Sequence, residues 1–235
     1  MQSPLANISP VVKNLLIINV IVYIAMWVLP GLNLVKNLSA FYFDGPLFQF
    51  WQPISYMFMH SPSDPMHIIF NMFGLVMFGT IIEQSLGVKK FIEFYIITGL
   101  GALALHMAVQ AIEVYNVLGT YSIHTADITA AISPADMKKV TDIYTTPILG
   151  ASGALFGILL AFAYLYPNVE LMILFIPMPV KAKYAVAGYM VIELFSGIGR
   201  FQGDSVAHFA HLGGAIFGFI LLKLWGYRSS GRFFN

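Results

Sequence analysis

The chain contains no cysteine among its 235 residues, which removes disulfides, thiolate catalysis and cysteine-ligated zinc together. Charge is also scarce: Asp, Glu, Lys and Arg make up 10% of the sequence and nearly cancel, to a formal +1. That balance supplies no basic field for nucleic acid, and no Gly-Lys-Ser/Thr phosphate loop occurs in the chain. The segment Met1 to Val12 lacks the basic start and small-residue cleavage site of a secretory signal, and lacks the arginines of an amphipathic presequence. The first apolar stretch is therefore expected to be retained. Hydroxyl, imidazole, amide and carboxylate groups are left to carry any chemistry.

What the chain has in excess is apolar surface. Hydrophobic residues make up 58% of it and the mean hydropathy is +0.78, too little polar surface for a water-soluble domain of this size. The reading is an all-α polytopic membrane protein. A hydrocarbon core of about 30 Å takes roughly 20 apolar residues per helix, and six segments come near that length, at about 12–30, 66–85, 91–111, 150–166, 181–199 and 206–225. The fourth is the shortest, opening at a Gly-rich turn and ending before Pro167, so its start is expected below the membrane surface.

Two connections stand out. Residues 31–65 interleave Phe41, Tyr42, Phe43, Phe48, Phe50 and Trp51 with few charges and read as a long interfacial loop between the first two spans. Residues 112–147 carry Asp127, Asp136, Lys138, Lys139 and Asp142 and read as a solvent-exposed insertion. Lys13, Lys89, Lys90, Lys181, Lys183, Lys223, Arg228 and Arg232 fall on one side of the spans, against Lys36, Lys138, Lys139 and Arg200 on the other. That asymmetry places both termini in the cytoplasm and opens Ser152 and His211 toward the same outer leaflet.

Polar groups within spans are costly and mark candidate sites. Here they are Ser152, His211, His67, Asn71, His106, Glu193 and His208. His67 and Asn71, four residues apart, project from one helical face; alone, such a pair equally suits an interhelical hydrogen bond. Ser152 and His211 each come with a packing device. Gly153 and Gly157 form a small-residue stripe just below the serine, with Gly150 expected to serve the same helix packing, and Gly214 and Gly218 form another below the histidine. A short Ser side chain needs that close approach if a His on a neighbouring helix is to act as its base.

Gly150-Ala151-Ser152-Gly153 resembles the GxSG nucleophile segment of the rhomboid intramembrane serine proteases, and Ala210-His211-Leu212-Gly213-Gly214, continuing to Gly218, resembles their AHxxGxxxG segment. His67 to Asn71 is similar to their HxxxN segment, and Trp51-Gln52 stands where many members have Trp-Arg. The resemblance runs from about Leu15 to Leu224. It implies one rhomboid-like membrane domain over 1–235, a six-helix bundle, with Ser152 as nucleophile and His211 as general base in a Ser-His dyad. It further implies that His67, Asn71 and the Ser152 backbone N–H stabilise the oxyanion. No cofactor and no metal are implied. The expected partners are the lipid bilayer and membrane-protein substrates cut near small, helix-destabilising residues, in a prokaryotic plasma membrane.

Gln52 replaces the frequent Arg and puts any anchoring by that Arg in doubt; Phe156 replaces a Tyr found in some members, keeping a ring for the imidazole but no hydroxyl. Glu193 is read as an interhelical hydrogen bond or a protonated side chain rather than a third catalytic member. A zinc protease would need a Glu between its histidines, which His208-Phe209-Ala210-His211 lacks; a His60/His67/His208/His211 metal site is a remote alternative. The fifth span and the 200–205 turn, with Gly197, Gly199 and Gly203, are expected to form a gate and cap. A silent relative that binds membrane clients, and a small-solute channel, are the rival readings; the channel lacks the internal repeat it would need.

Overall fold

The computed structural model describes residues 8–125, 132–172, 178–199 and 207–229. The six apolar segments emerge as helices, labelled α1 (Pro10–Val28), α2 (Pro65–Leu86), α3 (Val88–Leu118), α5 (Ser152–Leu165), α6 (Ala182–Gly199) and α7 (His208–Leu224), with α4 (Pro134–Thr145) in the polar insertion. By length and composition α1, α2 and α3 can each cross a bilayer, while α5 and α7 are shorter apolar helices. Their outward faces carry exposed Ile21, Trp27, Phe70, Phe73, Ile192 and Phe195, apolar surface of the kind a lipid environment accepts.

The helix ends follow local chemistry. Pro10 occupies the first turn of α1, where its missing N–H costs nothing. The buried Glu83 carboxylate accepts from the free N–H groups of Val11 at 3.0 Å and Val12 at 2.9 Å, and from the Ser9 hydroxyl. Asp64 caps α2 by accepting from Met66 N–H. A π-helical stretch, Leu75–Gly79, lies within α2, a rearrangement of the kind that inserts one residue into a helix.

One end of the bundle is tied together by Glu83 with Ser9, by Ser85 with Tyr166 just past α5 (2.7 Å), and by Lys90, whose ammonium lies 4.8 Å from the Tyr227 ring centroid. The start of α5 is therefore at the other end. There the 31–64 connection is pinned by an antiparallel bridge between Ala40 and Ile148 and by Trp51 Nε1–H donating to the Asn37 carbonyl at 2.9 Å. Gln52 is fully buried and holds this connection itself, donating to the Leu47 carbonyl and accepting from Gln49 N–H. The anchoring placed in doubt by the missing Arg is thus carried by an uncharged amide.

The insertion differs from expectation. The third helix runs on to Leu118 rather than ending near 111, and its Val114 packs with Tyr42, Val140, Ile143 and Tyr144 in a small second core. Tyr144 donates to the Asp44 carboxylate at 2.7 Å and Tyr42 donates to the Tyr121 carbonyl at 2.9 Å. The segment read as a solvent-exposed insertion has an amphipathic helix docked on the loop. Its charges occupy the outer face of α4, where Lys138 and Asp142 pair. Asp127 lies outside the described residues.

Beyond α5 two short strands, β1 (Glu170–Leu171) and β2 (Val180–Lys181), pair antiparallel, Glu170 with Lys181 and Leu171 with Val180. Helix α6 follows and packs on α7 and α5.

Candidate active site

Helix α5 begins at Ser152, after a turn in which Gly150 has φ +133, a backbone region open to glycine alone. Gly150 N–H donates to the Tyr56 carbonyl at 3.0 Å, and the Tyr56 hydroxyl donates to the Gly99 carbonyl at 2.6 Å. A side chain at Gly150 would lie 3.0 Å from His67 Nε2 and 3.3 Å from Ser152 Oγ. Gly150 was expected to serve helix packing; it lies outside the helix instead, shaping the turn and leaving open the space between the imidazole and the hydroxyl.

The glycines of α5 and α7 face each other. A methyl on Gly214 would fall onto the Gly153 carbonyl oxygen, and one on Gly157 would come 3.0 Å from the Gly214 carbonyl oxygen. One on Gly218 would come 3.1 Å from Gly157 Cα. Helices α5 and α7 are in backbone contact along this line. The contact brings His211 Nε2 to 2.9 Å from Ser152 Oγ across 59 residues of sequence. The imidazole is held flat against Phe156, ring centroids 4.1 Å apart and planes 4° from parallel, so the ring contact expected of Phe156 is present.

His67 and Asn71 lie on α2 as their spacing requires. His67 Nδ1 accepts from Ser61 N–H at 3.4 Å, a long bond that assigns the ring proton to Nε2, the nitrogen facing Gly150. Asn71 is buried, and one proton of its amide donates to the His67 carbonyl at 2.8 Å. That bond stays within α2 and uses one of the two amide protons of Asn71. The Ser152 N–H belongs to the first helical turn, where amides have no partner within the helix.

The residue that sequence reasoning undervalued is Glu193. Its Oε2 accepts from His211 Nδ1 at 2.8 Å and from His208 Nδ1 at 2.7 Å, and it is 4% exposed. The interhelical hydrogen bond expected of it exists, yet its partner is the histidine that meets Ser152. The available signal was the i, i+3 placement of His208 and His211 on one face, with one buried acid to share. The ligand atoms of Glu193, His208 and His211 lie within 4.8 Å of one another. His60 is separate from that cluster, its ring 5.1 Å from His67; burial, and then the neighbouring His67, lower its pKa from 6.5 to about 3. The Nδ1 of His106 is buried without a hydrogen-bond partner among the described residues.

Of the expected gate, Gly197 is buried, and a methyl there would come 3.1 Å from the Phe209 ring; it marks a close approach of α6 to α7. Gly203 and the 200–205 turn lie outside the described residues.

Residues 47–228 match the family described as the Rhomboid domain. RHOMBOID-like protein 12, mitochondrial, of Arabidopsis thaliana is 30% identical over 169 residues, 71% of this chain and 44% of that protein. Rhomboid protease AarA of Providencia stuartii is 30% identical over 179 residues, 72% of this chain and 53% of that protein. Rhomboid protein 1, mitochondrial, of Saccharomyces cerevisiae is 26% identical over 153 residues, 65% of this chain and 36% of that protein. The chain thus spans about half or less of the length of these relatives.

Proposed function

The chain belongs to the rhomboid family, and from that membership we propose that it is an intramembrane serine endopeptidase acting on membrane-protein segments. The observation that carries the reading is the 2.9 Å approach of Ser152 Oγ to His211 Nε2. A hydroxyl with an unprotonated imidazole nitrogen at that distance is an activated nucleophile.

The chemistry follows from the geometry. Ser152 Oγ attacks the scissile carbonyl carbon as its proton passes to His211 Nε2. The carbonyl oxygen becomes an oxyanion, stabilised by His67 Nε2–H, the free amide proton of Asn71 and the Ser152 backbone N–H, at the N-terminus of α5 where the helix dipole favours negative charge. Collapse breaks the C–N bond, and His211 returns the proton to the leaving amine. Water, giving a proton to His211, then attacks the acyl carbon; the C–Oγ bond breaks and His211 returns the proton to Ser152 Oγ. Gly150 leaves room for this, since any side chain there would stand between the nucleophile and the donor.

The site's depth supports a membrane-embedded substrate. The 14 residues of α5 rise about 21 Å, against a hydrocarbon core of about 30 Å. With its carboxyl end tied to the end of α2, Ser152 stands roughly 10 Å below the opposite surface. A substrate arriving there through lipid must unwind locally, because helical peptide bonds are shielded by their own hydrogen bonds. In this reading the six apolar segments are the membrane spans, both termini lie on the Lys90 side, and the membrane is a prokaryotic plasma membrane.

The test is reconstitution of the protein with a single-span substrate beside Ser152→Ala and His211→Ala. Cleavage by the wild type alone supports the reading. Equal background in all three overturns it, and retained client binding would then favour the silent relative.

A further inference from the structure

Glu193 sits where a membrane helix has no ordinary use for a charge. It is 4% exposed, and among the described residues no lysine or arginine pairs with it; its hydrogen-bond partners are two imidazoles. A buried carboxylate is retained in such a place when its partners need it.

The direction of its hydrogen bonds says what the need is. An ionised carboxylate only accepts, so the nitrogens that meet Oε2 must carry hydrogen. His211 Nδ1 is therefore the protonated nitrogen of the neutral ring, and Nε2, 2.9 Å from Ser152 Oγ, is the bare one. That is the tautomer a base needs. The same ring rotated, or in its other tautomer, would present N–H to the serine and could not take its proton.

We infer that Glu193 is the positioning residue of His211, holding the imidazole in the tautomer and orientation that accept the Ser152 proton and compensating the imidazolium that then forms. The inference rests on the protease reading above and deepens it. It makes the arrangement a Glu-His-Ser relay assembled from α6, α7 and α5. Phe156 constrains only the plane of the ring; a face-to-face contact cannot distinguish one ring nitrogen from the other, whereas an acceptor at Nδ1 can.

His208 shares the carboxylate oxygen at 2.7 Å. A purely structural role, fastening α6 to α7, would be met by the His208 bond alone. The second bond, to the ring that touches the nucleophile, is the one a fastening role leaves without a purpose.

The experiment uses the full chain in phosphatidylethanolamine–phosphatidylglycerol liposomes with a fluorogenic single-span substrate, comparing wild type, Glu193→Gln, Glu193→Asp and Ser152→Ala. Gln preserves shape and hydrogen bonding without charge. The expected result is a fall in kcat of about 10²-fold or more with KM within about twofold, partly restored by Asp, given that losing the acid of a Ser-His-Asp triad costs about 10⁴-fold. Nitrogen-15 spectra should show His211 protonated at Nδ1, with a far-downfield N–H proton that Glu193→Gln moves upfield.

A folded Glu193→Gln protein with wild-type kcat and an unmoved His211 resonance overturns the inference. Where Glu193→Gln does not fold, His208→Gln decides. Retained cleavage with the His211 resonance in place supports the inference, and abolished cleavage in a folded protein transfers the role to His208 and overturns it. If the wild type cleaves no better than Ser152→Ala, proteolysis is the reading that fails, and the His211 spectrum still tests the role of Glu193.

Discussion

Phe156 lies face to face with His211, one ring above the other at 4.1 Å with 4° between their planes. An aromatic contact contributes about 0.5–1.5 kcal/mol, and here it orients one imidazole. Phe156→Ala is expected to lower kcat by roughly tenfold while the fold persists, since about 1.4 kcal/mol corresponds to a factor of ten. Phe156→Tyr should stay near wild type. Peptidase assays beside melting curves separate the two effects; an unchanged kcat in Phe156→Ala would remove the ring from the site's working parts.

Gly214→Ala should abolish cleavage. The added methyl meets the Gly153 backbone oxygen, which has no rotamer to yield, so α7 must withdraw from α5 and carry His211 with it. Misplacement by about 1 Å costs on the order of 10²-fold. Gly188→Ala is the control, because nothing lies within 4 Å of a methyl at that position and its helix should gain slightly in stability, up to about 1 kcal/mol. Equal activity in the two variants would show that close contact of the two helices is not required.

His60 makes stability depend on pH. Burial lowers its pKa from 6.5 to about 3, so between those values the unfolded chain binds a proton that the folded chain does not. Stability is full above about pH 6.5 and is lost as pH falls toward 3, with a slope on the order of 1 kcal/mol per pH unit. His60→Gln should flatten that slope in denaturation experiments run from pH 7 to 4. An identical slope in the variant would place the acid sensitivity elsewhere.

Chelation should leave activity intact. Glu193, His208 and His211 are close enough to hold a divalent ion, but an ion on His211 Nδ1 would leave the ring proton on Nε2, where it blocks transfer from Ser152. EDTA treatment is therefore expected to change the rate less than twofold. A loss that added zinc restores would assign the cluster to a metal and count against the relay.

Much of this was legible without coordinates, and for an identifiable reason. Ser152, His211 and their glycine stripes are local patterns, and spacing along a helix states which residues share a face. The six apolar segments were legible because transfer into lipid reads composition directly. Other features were hidden because they depend on how helices are rotated against one another. Gln52 looked like a lost anchor, yet burial turned its amide into one. The insertion read as solvent-exposed, and its buried side, Tyr144 and Val140 against Tyr42 and Val114, was not visible in composition.

Sequence by itself determined that this is a polytopic helical membrane protein of the rhomboid family, and which serine and histidine to bring together. Only the tertiary structure decided how near they come, which nitrogen of His211 faces Ser152, and that Glu193 stands behind it. The physical reason is that composition and periodicity act within one segment, whereas a hydrogen bond between α6 and α7 is set by the packing of both against α5. The distance between Glu193 Oε2 and His211 Nδ1, 2.8 Å, is a property of that packing.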